Sequence, residues 1–206
     1  MGSLKAVLLD ADGVFQRPPP DLAARLAEAM GLAPSLADEF ILDLFRAEAQ
    51  ALTGAEDFFA CAQLVLSNWG LSFPNDRLGR LWHQIEIDGS VLSLVTELRG
   101  RGIYCAVVSN QQAHRARCMS VDLAYGEIFD AEFYSCQVGH RKPSGAYFKA
   151  VIKSAKLDPG RTVFIDDRVE NVDAARRAGL NAVLFAPTQV RNGGGALRAL
   201  LAKHGL

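Results

Sequence analysis

The chain is 206 residues long, half of them hydrophobic, with 22 basic side chains against 23 acidic ones and a formal net charge of −1. That length suits one domain, or one domain carrying a modest insertion, and leaves enough apolar residues for a sizeable core. The balance of charge offers no extended field for nucleic acid or for an anionic membrane, so any substrate is held by a local site.

In chain order, the first element is a continuous apolar run at residues 5–9, which stops at Asp10-Ala11-Asp12-Gly13. Its start is too short and too soon acidic for a signal peptide. Unbroken apolar runs of this length read as parallel strands buried on both faces. Pro18-Pro19-Pro20 then marks a change of composition. From there to residue 87 the apolar residues recur at helical spacing: Leu22, Leu26 and Met30, then Phe40, Leu44 and Phe45, then 58–69 and 78–85. A stretch this long is unusual for a crossover between parallel strands, so it reads as an all-helical insertion.

Beyond it, strands and helices alternate. A leucine-rich helix at 92–98 ends at Gly100-Arg101-Gly102, and strand runs follow at 103–108, 162–165 and 181–185, with a weaker one at 132–136. Helical patterns at 145–153 and 172–178 separate them. Asn192-Gly193-Gly194-Gly195 reads as a flexible linker to a short last helix. The order predicts an α/β fold with a doubly wound, Rossmann-like parallel sheet. Residues 1–16 and 89–206 form the core and 17–88 an inserted helical cap. Cys61, Cys105, Cys118 and Cys136 form no CxxC pair and no Cys/His metal spacing. No apolar stretch reaches the roughly 20 residues of a membrane span, and a reducing cytoplasmic setting is expected.

Polar residues gather where the apolar runs end. Asp10 and Asp12 close the first, Ser109 and Asn110 the second, Asp166 and Asp167 the third. In open parallel sheets the ligand crevice lies beyond the carboxyl ends of the strands. Four carboxylates at one edge repel each other in a low-dielectric crevice, and a divalent cation relieves that repulsion. Ligands that are all oxygen suit Mg²⁺. Any one of these acids alone also fits a helix cap, but capping does not explain acidic pairs at two separate strand ends. Ser109 and Asn110 precede a predicted helix, where a hydroxyl, an amide and free N–H groups can bind an anion or simply cap the helix. Lys142 sits in Gly139-His140-Arg141-Lys142-Pro143 and suits a phosphate oxygen, although by itself it reads first as a solvated surface lysine.

Taken in order, Asp10-Ala11-Asp12-Gly13, Ser109-Asn110, Lys142-Pro143 and Asp166-Asp167 with Asn171 resemble the haloacid dehalogenase-like hydrolase superfamily, in its subclass with a helical cap and its branch of small sugar-phosphate phosphatases. That resemblance implies a magnesium-dependent phosphatase. Asp10 would attack phosphorus and form an aspartyl-phosphate. Asp12 would protonate the leaving oxygen and then activate water. Mg²⁺ would lie on the Asp10 carboxylate, the Asp12 backbone carbonyl and Asp167, with Asp166 helping directly or through water. Ser109, the Asn110 backbone and Lys142 would hold the phosphoryl oxygens. The implied partner is a small phosphorylated metabolite, a sugar phosphate first and a nucleotide second, acted on by a monomer or homodimer without nucleic acid or membrane.

Three rivals stand beside this reading. Dehalogenases of the superfamily lack an acid two residues after the nucleophile, which Asp12 supplies here. A phosphomutase would keep all four motifs. A non-catalytic phospho-acceptor module would place its acid pair on the first strand and its acceptor on a middle one, the reverse of this order. Within the cap, Trp69, Trp82, His83, Phe58 and Arg46 are conceivable substrate contacts that read first as core or surface. His114 and Arg115 read as a solvated helix face. The stiff entry Gln16-Arg17-Pro18-Pro19-Pro20 raises the question of how freely the cap moves.

Overall fold

The computed structural model describes residues 3–185 and 193–205. Strand β1 (Ala6–Leu9) leads to β2 (Gln16–Arg17), and helices α1 (Leu22–Ala29), α2 (Ala37–Ala51), α3 (Phe58–Asn68) and α4 (Asn75–Trp82) follow before β3 (Glu86–Ile87). The chain then runs α5 (Gly89–Gly100), β4 (Tyr104–Ser109), α6 (Ala113–Arg117), α7 (Tyr125–Ile128), β5 (Ala131–Tyr134) and α8 (Ser135–Val138). It ends with α9 (Gly145–Ser154), β6 (Thr162–Asp166), α10 (Val169–Arg177), β7 (Asn181–Leu184) and α11 (Gly193–Ala202). A π-helical turn at Cys118–Asp122 separates α6 from α7.

The main sheet has the order β5-β4-β1-β6-β7, and each neighbouring pair is parallel. It is the α/β doubly wound sheet expected from the alternation of runs. Both faces of β1 are covered, as its unbroken apolar sequence requires. Val7 and Leu9 join a cluster with Val95, Val107 and Ile165 on one side. Leu8 joins Val108, Phe148, Phe164 and Val172 on the other. The connections reverse direction at β1, flanked by β4 on one side and β6 on the other. This is the switch point where such sheets open a crevice.

Helices α1–α4 enclose a third apolar cluster built on Leu26, Phe40, Leu44, Phe58, Leu66, Leu78 and Trp82. Among the described residues no helix is long and apolar enough to cross a membrane. Three elements differ from the sequence expectation. The strand pair β2–β3, antiparallel with Gln16 opposite Ile87 and Arg17 opposite Glu86, joins the helical stretch to the sheet layer, where no strand was expected. Two residues are too few to show a period of two. Gly193–Gly195 are not a linker but the first turn of α11. The Gly193 N–H donates to Asp88 Oδ2 (2.8 Å) and the Gly194 N–H to Ser90 Oγ (3.0 Å), and a Cβ on Gly194 would collide with the Ser90 carbonyl. Asn192 lies outside the described residues. The third difference is α6, which starts at Ala113 rather than directly after Asn110. The Gln112 side chain caps it by accepting from the His114 and Arg115 N–H groups.

His83 ends α4, and its ring packs near Phe59. Burial, with the Arg115 cation next in importance, pushes its imidazole down to about 4. Between pH 6.5 and 4 the unfolded chain therefore takes up a proton that the folded one refuses, and stability falls as pH drops through that window. We expect a loss of about 1–2 kcal/mol after allowing for partial exposure. Urea melts at pH 7 and pH 4.5 should show it, and His83→Gln should flatten the acid limb.

Candidate active site

The polar strand ends converge at the carboxyl edge of β1, β4 and β6. Asp10 follows β1, and its backbone N–H still donates to the Ile165 carbonyl (2.8 Å), so the residue is fixed by the sheet. Its Oδ1 accepts from the Ala11 N–H (2.7 Å) and lies 2.8 Å from Lys142 Nζ. Lys142, 3% exposed, also donates to Asp166 Oδ2 at 2.6 Å. Asp166, fully buried at the end of β6, accepts further from Asn171 Nδ2 on both oxygens (2.9 and 3.0 Å) and from the Arg168 N–H.

One lysine thus stands between two buried carboxylates, and the next residue adds a third acid. Asp10, Asp166 and Asp167 each offer an oxygen, and these atoms lie within 4.8 Å of one another. Burial, opposed by Lys142 and reinforced by Asp166, pushes Asp10 up to about 7. Burial, with Asp166 beside it, also raises Asp167. Buried oxygen ligands with unrelieved acidity form a site suited to a hard divalent cation. Gly13 makes room for this cluster. Its φ is +86°, and a Cβ there would overlap the Asp167 carboxylate.

Asp12 turns away from that cluster. Its Oδ1 accepts from Arg115 Nη2 (2.9 Å) and Gln16 Nε2 (3.1 Å), and its Oδ2 from Gln111 Nε2. Tyr125 fixes Gln16 in turn by donating its hydroxyl to Gln16 Oε1 (2.9 Å). One carboxylate is therefore held by three donors, its plane set by a buried network. The Asn110 side chain spans to the other motif. Its Nδ2 donates to the Lys142 carbonyl (3.0 Å), and its Oδ1 accepts from the Lys142 N–H (2.8 Å). This reciprocal pair fixes the lysine backbone beside β4. Ser109 is buried and its Oγ accepts from Gln111 Nε2 (3.2 Å).

A cavity of about 330 Å³ opens over these groups, bordered by Asp10, Asp12, Ser109, Lys142 and Asp167 and, from α2, by Glu48. The structure brings together every residue the motifs singled out: Asp10, Asp12, Ser109, Asn110, Lys142, Asp166, Asp167 and Asn171. Polar contacts between the core and the helical stretch help seat it on the crevice. Arg141 Nη1 donates to the Ala49 carbonyl (3.2 Å), His114 Nε2 lies 2.6 Å from Asp57 Oδ2, and Arg115 Nη1 donates to the Trp82 carbonyl (3.0 Å).

Arg115 corrects the sequence reading. It is 6% exposed and bound to Asp12, not solvated. Buried Met119 lies four residues on, one helical turn along the same face, and that spacing was the signal that could have turned Arg115 inward. His114 is half-exposed beside Asp57, closer to expectation. Gln16, Gln111 and Glu48 were missed too, because no local pattern marks a glutamine or glutamate whose partner is remote in sequence. Of the five conceivable cap contacts, Phe58 and Trp69 pack with the cap cluster and Arg46 pairs with Asp43 on the surface. His83 ends α4 away from the crevice, and Trp82 alone of the five borders a chamber that includes Asp12.

Residues 4–179 match the family of haloacid dehalogenase-like hydrolases. A sesquiterpene phosphatase of Aspergillus oryzae is 33% identical over 96 residues, 45% of this chain and 47% of that protein, so the chain spans about half the length of this curated relative. Two solved structures share the fold. A HAD-like family hydrolase of Porphyromonas gingivalis superposes with a TM-score of 0.79 at 21% identity, covering 97% of this chain and 98% of the other. A HAD family enzyme of Bacteroides thetaiotaomicron, in complex with magnesium and inorganic phosphate, superposes at 0.75 with 20% identity over 91% and 97% of the two chains.

Proposed function

Since the chain belongs to the haloacid dehalogenase-like hydrolase family, we propose that it hydrolyses phosphomonoesters of small metabolites with Asp10 as nucleophile. The observation that carries this reading is the pairing of two differently held acids at one crevice. Asp10 sits with Lys142 beside an oxygen cluster suited to Mg²⁺. Asp12, two residues on, is held instead by Arg115, Gln16 and Gln111 and borders both this cavity and a neighbouring chamber. A dehalogenase has no task for that second acid. A phosphatase needs it twice.

In the first half-reaction an Asp10 carboxylate oxygen attacks phosphorus, the ester P–O bond breaks, and Asp12 gives its proton to the departing alkoxide. In the second, Asp12 takes a proton from water as the water oxygen attacks phosphorus. The Asp10 O–P bond breaks and inorganic phosphate leaves. Ser109, the Asn110 backbone and Lys142 hold the equatorial oxygens, and Asn110 and Asp166 keep Lys142 in place for that task. Mg²⁺ bound by Asp10, Asp167 and the Asp12 carbonyl would neutralise charge on the phosphoryl group, with Asp166 near enough to contribute. Residues 17–88 act as a cap on a core of 1–16 and 89–206, which agrees with the separate apolar cluster of α1–α4. The relative that carries phosphatase in its name supports the reaction class.

The test is release of phosphate from 4-nitrophenyl phosphate with Mg²⁺, loss of that turnover in EDTA, and its return with added Mg²⁺. A protein inert under these conditions would end the reading. The acidity of Asp10 adds a pH signature. Below about 7 its oxygen carries a proton that the metal must displace. Apparent Mg²⁺ affinity is therefore expected to fall by up to about tenfold per unit below pH 7 and to level off above it. Activity titrated with Mg²⁺ at pH 6 and pH 8 checks this, and equal midpoints would contradict it.

A further inference from the structure

Next to the catalytic cavity lies a second chamber of about 250 Å³ between Asp12 and the cap. Pro18 and Leu22 enter from the start of the cap, Phe45 and Glu48 from α2, Trp82 from the end of α4 and Arg115 from the core. Asp12, Asn110 and Glu48 border both spaces, so the chambers join beside the proposed acid. With the phosphoryl group on Asp10 and Lys142, the leaving oxygen faces Asp12, and whatever it carries extends into this second chamber.

From its walls we infer that the chamber selects an uncharged, mostly apolar alcohol of about ten non-hydrogen atoms, the number its volume holds at the packing density of protein interiors. This rests on the phosphatase reading and specifies its substrate. Phe45 is 43% exposed and packs on Trp82 (ring centroids 5.1 Å apart), leaving apolar surface for a ligand to cover. The charges argue against an anionic leaving group. Arg115 is committed to Asp12 Oδ1 and the Trp82 carbonyl, while Asp12 and Glu48 are both acids. A sugar ring would press the hydroxyls of one face against Pro18, Leu22, Phe45 and Trp82, where each would lose its water without gaining a partner, and only its other face could reach the polar wall that Asn110 and Gln111 share with Asp12, Glu48 and Arg115. A polar group of the bound alcohol has a place beside Glu48, whose Oε1 accepts from Trp82 Nε1 (2.8 Å), a bond that fixes the carboxylate in the chamber wall. A nucleoside exceeds the volume.

The experiment compares kcat/KM for ethyl, butyl and hexyl phosphate, a hexose 6-phosphate, adenosine 5′-monophosphate and 4-nitrophenyl phosphate on the full chain with Mg²⁺. Burial of each added CH₂ should raise kcat/KM about fourfold, so hexyl should exceed ethyl phosphate by roughly two orders of magnitude. Hexyl phosphate should also exceed the hexose phosphate by at least about tenfold. Phe45→Ser should flatten the chain-length slope. The wild-type series stands by itself if that variant folds poorly. A flat slope, or a hexose or nucleoside phosphate as the best substrate while 4-nitrophenyl phosphate is still turned over, overturns this inference and leaves the phosphatase reading standing. No turnover of any ester overturns both.

Discussion

Asp10→Asn is expected to lower turnover of 4-nitrophenyl phosphate by about 10⁴-fold or more, because the amide cannot form the acyl-phosphate on which both half-reactions depend. The fold should survive the change. Asparagine Oδ1 can still accept from the Ala11 N–H and from Lys142, the two donors that hold Asp10 Oδ1. The substitution also removes a carboxylate whose charge burial disfavours. The melting temperature should therefore stay within a few degrees of wild type, and the loss of rate is then chemical. Turnover that persists in this variant at more than about a tenth of the wild-type rate would mean that another group does the attacking.

Lys142→Met should be the most destabilising single change at the site. The ammonium lies 2.8 Å from Asp10 and 2.6 Å from Asp166, and all three groups are buried. Removing one partner of a buried ion pair leaves uncompensated charge and costs about 3–5 kcal/mol. For a chain of this size that corresponds to a fall in melting temperature of about 10 °C. Catalysis should vanish as well, since the same ammonium is proposed to neutralise the phosphoryl oxygens. The sign of the pH dependence follows from linkage. Burial already pushes Asp10 up to about 7, and without the lysine it is held higher still, so the folded variant keeps a proton that the wild type and the unfolded chain have both released above about pH 7, and its deficit in stability grows there. The gap from wild type should be narrow at pH 5 and wide at pH 8, and added Mg²⁺ should narrow it again. Melting curves at the two pH values, with and without the metal, would show this. A gap that does not change with pH would mean that the lysine contributes by packing alone, against Phe164 for instance.

The strands of the main sheet were legible because burial on both faces writes a continuous apolar run. β1, β4, β6 and β7 fall within one residue of the runs read from sequence at each end, and β5 is offset by one or two. The motif residues were legible for a related reason. A polar residue that ends such a run has been placed at the sheet edge by the strand itself. Helices α1–α4 were visible through their helical period, down to Trp82 in their shared cluster. What escaped was whatever depends on a distant partner. Arg115 belongs to Asp12, more than a hundred residues earlier. Gln16 is claimed by Tyr125, Gln111 by Asp12, and Gly194 by Ser90. In each case the residue type is ordinary on a surface, and only the tertiary neighbour makes it structural. The glycines before the last helix mislead for the same reason. Alone they favour a floppy chain, but against the Ser90 backbone Gly194 is the residue type that fits.

The ribbon of Gln16–Arg17 and Glu86–Ile87 has a consequence for how a chain like this one can diversify. Departure from and return to the sheet layer occur side by side, so the segment between them is spliced in at a single doorway and its length imposes nothing on the register of β1 or β4. Bulk, shape and greasiness of the roof can then drift under selection while the spacing of the acids beneath is left untouched. New specificity would need no new chemistry, only a different lining hung from the same two short strands.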